Sequence, residues 1–438
     1  MTRRTARPAD LTGWLAYLET LHPKSIAMGL DRVRAVAHRM RIRIAAPVIT
    51  VTGTNGKGST CALLDAMLRC AGYRVGVYTS PHLLRYNERV VIDGASATDA
   101  ALLEAFDEVE DARAGGDSAT PLTYFEFGTL AALALFARAG LDAVILEVGL
   151  GGRLDAVNIV DADVAVLTSV DLDHLDYLGA TRDDIGREKA GIFRRGRPAI
   201  CADPDPPPSV LEHANAIGAR LVRAGVDYGA VAEGVQWRYF GPGGARFGLP
   251  HPALRGSHQL LNAATAIAAL ACLQPRLVVP IAAVRDGLMR VELPGRFMVL
   301  PGRPTIVLDV AHNPQAARTL ASCLGTMGFH AYTYAVIGML ADKDIDGVVA
   351  ALRERIDYWF VASLPGTRGA SSERLRQHLL RAGVGDDAIR AFDDVTAAYA
   401  AATSVAGEAD RIVVFGSFLT VAAALSRGRP VVSSTHSR

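Results

Sequence analysis

Residues 47–60 read PVITVTGTNGKGST, a short apolar stretch that runs directly into glycine, lysine and hydroxyl residues. The β-branched residues of its first half predict a buried strand, and the sequence KGSTCALLDAMLRCAG from Lys57 onward predicts a helix. A strand, a glycine loop and a helix in this order can cradle phosphate, because backbone N–H groups turn inward where the helix begins. We therefore predict that this stretch sets both the fold and a phosphate site.

Each residue type in the loop suits a triphosphate. Lys57 would bring a positive charge to the β- and γ-phosphates, and the hydroxyl of Ser59 or Thr60 can reach phosphate or a metal ion. The spacing differs from the usual P-loop, because Gly53 lies three residues before Gly56 and a glycine follows the lysine. An ordinary glycine turn is the alternative, which the glycines, lysine and hydroxyls together disfavour. Nucleotide contacts are predicted for Thr54, Asn55, Gly56, Lys57, Gly58, Ser59 and Thr60.

Apolar runs alternate with helical stretches along most of the chain, which predicts an α/β fold. The first series indicates a P-loop domain with a mostly parallel sheet flanked by helices, preceded by two helices in LTGWLAYLETLHP and LDRVRAVAHRM. A second series follows Gly295 and indicates a smaller C-terminal α/β domain, Rossmann-like in its alternation. Proline and glycine in LPGRF and PGRP place the boundary, giving domains 1–296 and 297–438. The proline-rich stretch DPDPPPS at 203–209 is interpreted as a loop inside the first domain.

Composition excludes several classes of protein. The 438 residues are 50% hydrophobic, and 46 Lys and Arg against 45 Asp and Glu give a net charge of +1, so no global field attracts nucleic acid or an anionic membrane. The five cysteines are scattered without a CxxC pair, which argues against a disulfide framework and a zinc site. No signal peptide and no apolar run of about 18 residues is visible. We expect a cytoplasmic monomer that acts on small molecules.

Two candidate metal ligands follow strands of the predicted first sheet. Glu147 ends the strand DAVILEV, and a carboxylate at that edge, beside a phosphate loop, suits magnesium. The alternative for Glu147 is a solvated acid at a strand end. His174 lies in SVDLDHLDYLG, where a structural histidine is as good an interpretation as a ligand. Asp171, Asp173 and Asp176 could be capping groups or could support the ligands from behind, and the sequence does not rank them.

Seven further motifs lie downstream in a fixed order. They are TSPHL (79–83), NER (87–89), TYFE (123–126), EVGLGGRLDAVN (147–158), EKAGI (188–192), GRF (295–297) and DVAHNP (309–314), with GSF near Gly416. With GTNGKGS, this set resembles the folylpolyglutamate synthase and dihydrofolate synthase family of the Mur ligase superfamily, of the bifunctional bacterial type. Peptidoglycan Mur ligases carry a UDP-sugar-binding domain before the loop, and the 52 residues before Gly53 are too few for one.

The resemblance implies a metal site. It assigns magnesium to Ser80, Glu147, His174 and Lys189, with two ions expected. In the family the lysine of EKAGI is carbamylated, so Lys189 is expected to become a carboxylate. This reaction requires a neutral amine, and hence a pKa lowered by desolvation or a nearby cation. From the sequence alone, an exposed helical lysine beside Glu188 and a turn serine before Pro81 remain the alternatives.

The resemblance also implies nucleotide and reaction-centre residues in the second half of the chain. Asn262, Arg296 and Asp309 are expected to contact ATP, and His312 to act at the reaction centre together with Lys57, Lys189 and His174. Two alternatives stay open. Asn262 could be a buried hydrogen-bonding anchor in an apolar helix, and Arg296 a linker arginine paired with an acid.

A pterin-binding set is implied as well. Thr123 belongs to it, although Glu126 three residues later also predicts that Thr123 caps a helix through a capping box, and both roles can hold at once. The full set is Met28, Gly29, Leu30, Ser80, Pro81, His82, Thr123, Leu154, Asp155 and Ala156.

These features predict an ATP- and Mg²⁺-dependent ligase that joins L-glutamate to the carboxylate of dihydropteroate or of a tetrahydrofolate glutamate tail through an acyl phosphate. One rival is another amide ligase of the superfamily, such as a peptidoglycan precursor ligase. A second is a regulatory P-loop NTPase, against which the absence of an NKxD motif speaks. Whether one or both folate reactions are catalysed is left open, and we favour both by resemblance.

Overall fold

The computed structural model describes residues 7–24, 26–116 and 118–428, which form two compact units. The described residues before Leu293 form the first unit, except that Leu254–His258 belong to the second. Apart from this short segment, the chain passes from the first unit to the second at Glu292–Leu293. We retain the division into domains 1–296 and 297–438 as a proposal.

Strand β1 (Val48–Thr52) lies at the centre of the first unit. All five residues are buried, and the strand pairs in parallel with two neighbours, Val48 opposite Val144 on one side and Ile49 opposite Val164 on the other. A strand covered on both faces favours β-branched residues, and all five residues of β1 are β-branched, three of them apolar and two of them threonines. The predicted strand before the phosphate loop is confirmed.

The main sheet of the first unit has eight strands in the order β4-β3-β2-β5-β1-β6-β7-β8. Six strands from β2 to β8 run parallel, whereas β3 and β4 form an antiparallel edge. The mostly parallel sheet is thus confirmed. Besides β1, its strands are β2 (Val75–Tyr78), β3 (Val90–Ile92), β4 (Ala95–Ser96), β5 (Ala143–Glu147), β6 (Val164–Leu167), β7 (Pro198–Cys201) and β8 (Arg220–Arg223).

Ten helices accompany these strands among the described residues. The first two confirm the predicted N-terminal pair, and Asp10 caps the first by accepting the backbone N–H of Gly13. The helices are α1 (Leu11–Thr20), α2 (Asp31–Met40), α3 (Lys57–Cys70), α4 (Asp99–Ala114), α5 (Tyr124–Arg138), α6 (Leu175–Leu178), α7 (Arg182–Ala190), α8 (Pro208–Ile217), α9 (His258–Ala271) and α10 (Ile281–Arg290).

A small antiparallel sheet of the first unit has no counterpart in the sequence analysis. It consists of β9 (Gly229–Glu233), β10 (Gln236–Phe240) and β11 (Arg246–Pro250), with Trp237 and Tyr239 buried beneath it. The proline-rich stretch at 203–209 forms a loop as predicted up to Pro207, and α8 begins at Pro208. Proline suits this position because its missing N–H would have no partner in a first helical turn.

The second unit has its own sheet of six strands in the order β12-β13-β17-β14-β15-β16, all parallel except β12. Trp359 and Phe415 lie in its core. The strands are β12 (Met298–Leu300), β13 (Thr305–Leu308), β14 (Thr333–Ile337), β15 (Tyr358–Ala362), β16 (Ile389–Phe392) and β17 (Arg411–Phe415). The helices are α11 (Pro314–Gly325), α12 (Ile345–Leu352), α13 (Ser372–Arg381), α14 (Val395–Val405) and α15 (Phe418–Gly428).

Two further observations bear on the class of protein. None of the helices in the described part of the chain is long and apolar enough to cross a membrane. All five cysteines are free thiols, and Cys61, Cys201 and Cys323 are buried.

Candidate active site

The loop after β1 turns sharply into α3. Gly53 has a φ of +151°, and a Cβ at this position would lie 1.8 Å from the Thr168 hydroxyl oxygen, so no larger residue fits. Gly56 precedes the helix in the left-handed region, with a φ of +86°, and Lys57 is the first helical residue. The predicted strand, loop and helix therefore meet as a phosphate site requires.

Lys57 lies back over the loop that precedes it. Its Nζ donates to the backbone oxygens of Gly53, at 2.9 Å, and Thr54, at 3.2 Å. The side chain is half-buried rather than a freely exposed loop residue. The ammonium group is thus held where a phosphate on the loop would meet it.

Asn262 packs against the phosphate loop. A Cβ built on Gly56 would lie 3.0 Å from the Asn262 Oδ1. The amide nitrogen of Asn262 donates to Gln259, whose own amide reaches the Ser59 hydroxyl at 3.4 Å. Helix α9 thereby brings two buried amides to the loop, although they are distant from it in sequence. Asn262 is a hydrogen-bonding anchor here, and its predicted contact with ATP stays a prediction.

Glu147 and Ser80 lie next to each other at the carboxyl edge of the sheet. Glu147 is the last residue of β5, is 5% exposed and is in register with Val51 of β1. Its Oε2 accepts the backbone N–H of Ser80 at 3.1 Å. Because β5 and β1 are neighbours, this carboxylate ends beside the phosphate loop, as predicted for a magnesium ligand.

Lys189 is buried, only 4% exposed, near the end of α7. The exposed helical lysine considered from the sequence is therefore wrong. Burial and the charge of Lys57 lower the pKa of the Lys189 amine to about 7, against the opposing effects of Asp173 and Asp155. The amine thus meets the requirement for a neutral fraction near pH 7. The charge of Lys57 acts on the Lys189 amine, so Lys189 lies in the neighbourhood of the phosphate loop.

His174 directly precedes the short helix α6 and has a φ of +53°, an uncommon value for a residue other than glycine. Its backbone N–H is accepted by the Asp173 carboxylate at 2.9 Å, and the Leu172 N–H is accepted by Asp171 at 2.8 Å. Asp171 and Asp173 therefore each hold the backbone of the residue that follows, and the sequence had left their roles open. Asp176 lies in the first turn of α6.

A cavity of about 300 Å³ opens beside His174. Much of the predicted substrate set lines it, whereas Gly29, Leu30 and His82 do not. The lining residues predicted from the sequence are Met28, Ser80, Pro81, Thr123, Leu154, Asp155, Ala156 and His174. Those missed are Ile26, Ala27, Arg89, Tyr124, Phe125, Glu126, Gly149 and Leu150. Most of the missed residues belong to the quoted motifs NER, TYFE and EVGLGGRLDAVN. Their closeness in sequence to predicted residues could have identified them as lining residues.

The cavity wall contains one buried acid with unusual properties. Asp155 accepts the backbone N–H groups of Leu150, at 2.9 Å, and Val157, at 3.0 Å. Burial nevertheless raises the pKa of its carboxyl group to about 7. Asp155 can therefore accept or donate a hydrogen bond to a polar heterocycle near neutral pH.

A basic residue, Arg89, also lines the cavity. Arg89 packs its guanidinium over the rings of Tyr86 and Tyr124, at 5.3 and 5.4 Å, and its Nε donates to the His82 Nδ1 at 2.9 Å. Burial and the charge of Arg89 lower the pKa of His82 to about 4. His82 is therefore neutral at physiological pH and acts as an acceptor for Arg89.

Thr123 caps α5 and lines the cavity, and its predicted contact with substrate stays a prediction. Its hydroxyl accepts the Glu126 N–H and the Glu126 carboxylate accepts the Thr123 N–H, which confirms the capping box. Glu126 also pairs with Arg32 at 2.8 Å. Thr123 lines the cavity at the same time, so a substrate contact is compatible with the cap.

The donor set fits a magnesium ion that shares its coordination with phosphate. Among the described residues, no three His, Cys, Asp or Glu side chains converge as a closed metal cage. The predicted set contains only two such residues, Glu147 and His174, together with Ser80 and Lys189. Magnesium commonly takes one or two carboxylates and completes its shell with water and substrate phosphate, so an open set beside a phosphate loop suits it.

The predicted site residues of the second unit, Arg296, Asp309 and His312, contact other residues of that unit. Burial raises the pKa of Asp309, and its two carboxylate oxygens accept the N–H groups of Phe297 and Ala311, each at 2.8 Å. The Arg296 guanidinium lies 4.9 Å from the centre of the Phe418 ring. The Nδ1 of His312 lies 2.8 Å from the backbone oxygen of Val310. The roles of Arg296, Asp309 and His312 toward a nucleotide stay predictions.

Two family models match the chain. They are the Mur ligase middle domain over residues 51–270 and the Mur ligase glutamate ligase domain over residues 295–418. The dihydrofolate synthase/folylpolyglutamate synthase of Escherichia coli is 48% identical over 422 residues, which cover 96% of each chain. The agreement therefore extends over both units.

Solved structures agree over the same length. E. coli FolC in complex with DHPP and ADP has 47% identity and a TM-score of 0.90, covering 97% of this chain and 99% of that one. A bifunctional folylpolyglutamate synthase/dihydrofolate synthase with Mn, AMPPNP and L-glutamate bound has 47% identity and a TM-score of 0.88, covering 96% and 98%. Those proteins bind nucleotide, a divalent metal and small-molecule substrates.

Proposed function

Because the chain belongs to the family of dihydrofolate synthase/folylpolyglutamate synthases, built from Mur ligase domains, we propose that it is a glutamate ligase of folate metabolism. The enzyme uses ATP to join L-glutamate to a folate-type carboxylate. The observation that carries this function is the phosphate loop of β1 and α3, which lies beside Glu147 and Ser80 and near a cavity large enough for a heterocyclic substrate.

The reaction transfers the γ-phosphate of ATP to the substrate carboxylate, and the amine of glutamate then displaces phosphate to form the amide. No protein nucleophile is required. The role of the chain is to position the reactants and to neutralise phosphate charge. Lys57 supplies a fixed positive charge on the loop, and the loop N–H groups at the start of α3 supply hydrogen-bond donors.

We assign magnesium to Ser80, Glu147, His174 and Lys189, and expect two ions. When bound, magnesium neutralises phosphate oxygens that gain charge during transfer. Lys189 would contribute as a carbamate. Its burial and its pKa of about 7 support this assignment, because an amine must be neutral to take up carbon dioxide.

The cavity is our proposed site for the pterin and aminobenzoate parts of the substrate. Its aromatic and aliphatic wall suits flat rings, and Asp155 offers a hydrogen-bonding carboxyl group to the nitrogens of a pterin. Ser80 and His174 line the same cavity and are proposed metal ligands, so a carboxylate at this side of the cavity would approach the phosphate.

Both folate reactions are proposed for this chain, with dihydropteroate and tetrahydrofolate as alternative acceptors. The E. coli relative carries both activities in its name. We further propose that the protein is a monomer of the cytoplasm that acts on small molecules and needs neither nucleic acid nor membrane. The five free thiols support a reducing compartment.

The test is ADP release from ATP and L-glutamate with dihydropteroate, tetrahydrofolate or a UDP-muramoyl peptide as acceptor. Release is expected with the first two acceptors and not with the third. Omission of glutamate should abolish amide formation with every acceptor. Release with the UDP-muramoyl peptide alone would contradict the proposed function, and release with only one folate acceptor would contradict dual activity.

A further inference from the structure

Asp203 is a buried carboxylate that the reaction does not use. It follows β7, is 5% exposed, and accepts the backbone N–H groups of Val170, at 2.7 Å, and Asp205, at 3.0 Å. Burial raises the pKa of this group, which means that its charge is kept away from water at a cost in free energy. An acid buried at such a cost usually holds something in place.

Arg182, the first residue of α7, binds the backbone carbonyl of the same residue, Val170. Its Nε donates to the Val170 oxygen at 3.0 Å, and its Nη2 donates to the Asp205 oxygen at 2.8 Å. The Nη2 also lies 3.5 Å from the Asp203 carboxylate. The two side chains therefore hold both the N–H and the carbonyl of Val170, and we call them the Asp203–Arg182 clamp.

The segment held by the clamp is bonded on its other side to the phosphate loop. Ser169 accepts the Thr54 N–H through its backbone oxygen, at 2.8 Å, and the Asn55 N–H through its hydroxyl, at 3.0 Å. The Thr168 hydroxyl donates to the Asn55 oxygen at 2.6 Å. The Asp171 N–H is accepted by the Thr54 hydroxyl at 3.0 Å. Residues 168–171 thus lie between the clamp and the loop.

We propose that Asp203 and Arg182 are positioning residues for the phosphate loop, acting through residues 168–171. A loop that binds phosphate through backbone N–H groups must hold them in place before the ligand arrives. The inference rests on the proposed function, since that function assigns nucleotide to this loop. Both residues bind Val170, so their effect reaches the loop through the intervening segment.

Asp163 provides a matched control in the same sheet. It precedes β6, accepts the Val48 N–H at 2.8 Å and pairs with Arg197 at 2.8 Å, so it has the same kind of partners as Asp203. It lies at the amino edge of the sheet, whereas the phosphate loop is at the carboxyl edge. Asp163→Asn should therefore reduce stability without altering the loop.

The experiment measures the dissociation constant for ADP by calorimetry on the full chain, with and without Mg²⁺, and the free energy of unfolding. We expect Asp203→Asn and Arg182→Gln to weaken ADP binding by about tenfold or more, because a misplacement of about 1 Å in such a site is costly. Asp163→Asn should leave ADP binding within about twofold of the unaltered chain. Arg182→Lys keeps the positive charge and one donor nitrogen and should recover part of the loss.

Two outcomes would overturn the inference. One is unaltered ADP binding in both clamp variants, and the other is an equal loss in Asp163→Asn, since the effect would then follow stability alone. Should Asp203→Asn fail to fold, Arg182→Gln decides, because Arg182 is 39% exposed and Asp203 keeps the N–H groups of Val170 and Asp205 as partners. An unaltered chain that binds no ADP overturns the proposed function and this inference together.

Discussion

Lys57 is the residue whose removal has the clearest expected effect. Its ammonium group is held over the phosphate loop by two backbone oxygens, so Lys57→Ala removes a pre-positioned charge. We expect turnover to fall by about 100-fold or more, as for other pre-organised groups that stabilise a transition state. The free energy of unfolding should change by less than about 1 kcal/mol, because the side chain is only half-buried.

Steady-state ADP release and urea unfolding together check this prediction. Lys24→Ala is the control, because Lys24 is exposed in the first unit. Near-normal turnover of Lys57→Ala would show that the loop does not grip the γ-phosphate.

Carbamylation of Lys189 is tested by removing the amine in two ways. Lys189→Ala should abolish most turnover and leave a space in which a small carboxylate such as formate can replace the carbamate. Lys189→Met fills the same space with an apolar chain and should not be rescued. Carbon-13 NMR with labelled bicarbonate should show a carbamate signal in the unaltered protein that is absent from both variants. An unaltered protein without that signal, or a fully active Lys189→Met, would contradict the assignment.

At the scale of single residues, the sequence indicates which residues belong to the site better than it indicates their burial and their partners. Glu147 was recognisable because it is the one charge at the end of an apolar strand. The burial of Lys189 was not recognisable, because α7 reads as a polar helix and the charges that act on the amine, those of Lys57, Asp173 and Asp155, belong to other segments. The Asp203–Arg182 clamp was missed for the same reason, since its partners lie 12 to 33 residues away.

Helix α3 contains an acid in an unfavourable environment. The side chain of Asp65 is 18% exposed, and burial raises its pKa to about 6 despite Arg69. The pKa of Asp65 is higher in the folded protein than in the unfolded chain. Below about pH 4 the carboxyl group is protonated in both states and its burial then costs no charge desolvation. Stability is then lost as pH rises through 6 and the carboxyl group ionises.

Asp65→Asn should therefore stabilise the protein by about 1–3 kcal/mol at pH 7.5 and by much less at pH 4. Chemical unfolding at several pH values measures this difference. Glu104→Gln, at an exposed position of α4, is the control and should show no such pH dependence. A stabilisation that is equal at both pH values would contradict the predicted ionisation.

The capping box of α5 predicts a separable effect on stability. Thr123→Ala removes the hydroxyl that accepts the Glu126 N–H and should cost about 1 kcal/mol of unfolding free energy. Thr123→Ser keeps that oxygen and should retain the stability that the alanine variant loses. If Thr123 also contacts substrate, KM for dihydropteroate should rise in the alanine variant without a change in KM for ATP. Equal stability of the alanine and serine variants would exclude a capping contribution.

Elements with a strong local pattern were predictable, and those without one were not. Strand β1 and helices α1, α2 and α3 follow directly from apolar spacing and the glycine loop. The sheet of β9 to β11 was not predicted. Only around Trp237 and Tyr239 do buried and more exposed residues alternate clearly, and β9 is largely exposed. Its stability comes from pairing between strands, which a single segment does not reveal.

At the scale of the whole chain, each unit has a hydrophobic core of its own. We therefore expect residues 293–428 to fold alone and to unfold cooperatively, as a domain with its own core can. Trp359 is the only tryptophan in this fragment and is buried, so its fluorescence reports folding directly.

Phe415→Ala in the same fragment is the control. It removes a core side chain that contacts Trp359 and should cost about 3–5 kcal/mol, enough to abolish the folded signal. A fragment whose Trp359 emission is that of an exposed indole would contradict the expected independence.

The overall architecture was accessible from the sequence because the alternation of strands and helices is regular in both halves. The α/β class, the mostly parallel sheets and the position of the phosphate loop were all predicted. The strand order was not, because β5 and β6 lie on either side of β1 although about 90 residues separate β1 from β5. Such pairing depends on packing of the complete chain.

The buried thiols of Cys201 and Cys323 can report how often the surrounding structure opens. Burial raises the pKa of Cys201 to about 12 and that of Cys323 to about 11, so neither ionises near neutrality while its surroundings stay closed. Cys201 lies in one unit and Cys323 in the other. A sulfhydryl reagent can modify either thiol only when its surroundings open. The labelling rates of Cys201 and Cys323, resolved from those of the other three cysteines by peptide mass, would therefore report the opening of each unit separately.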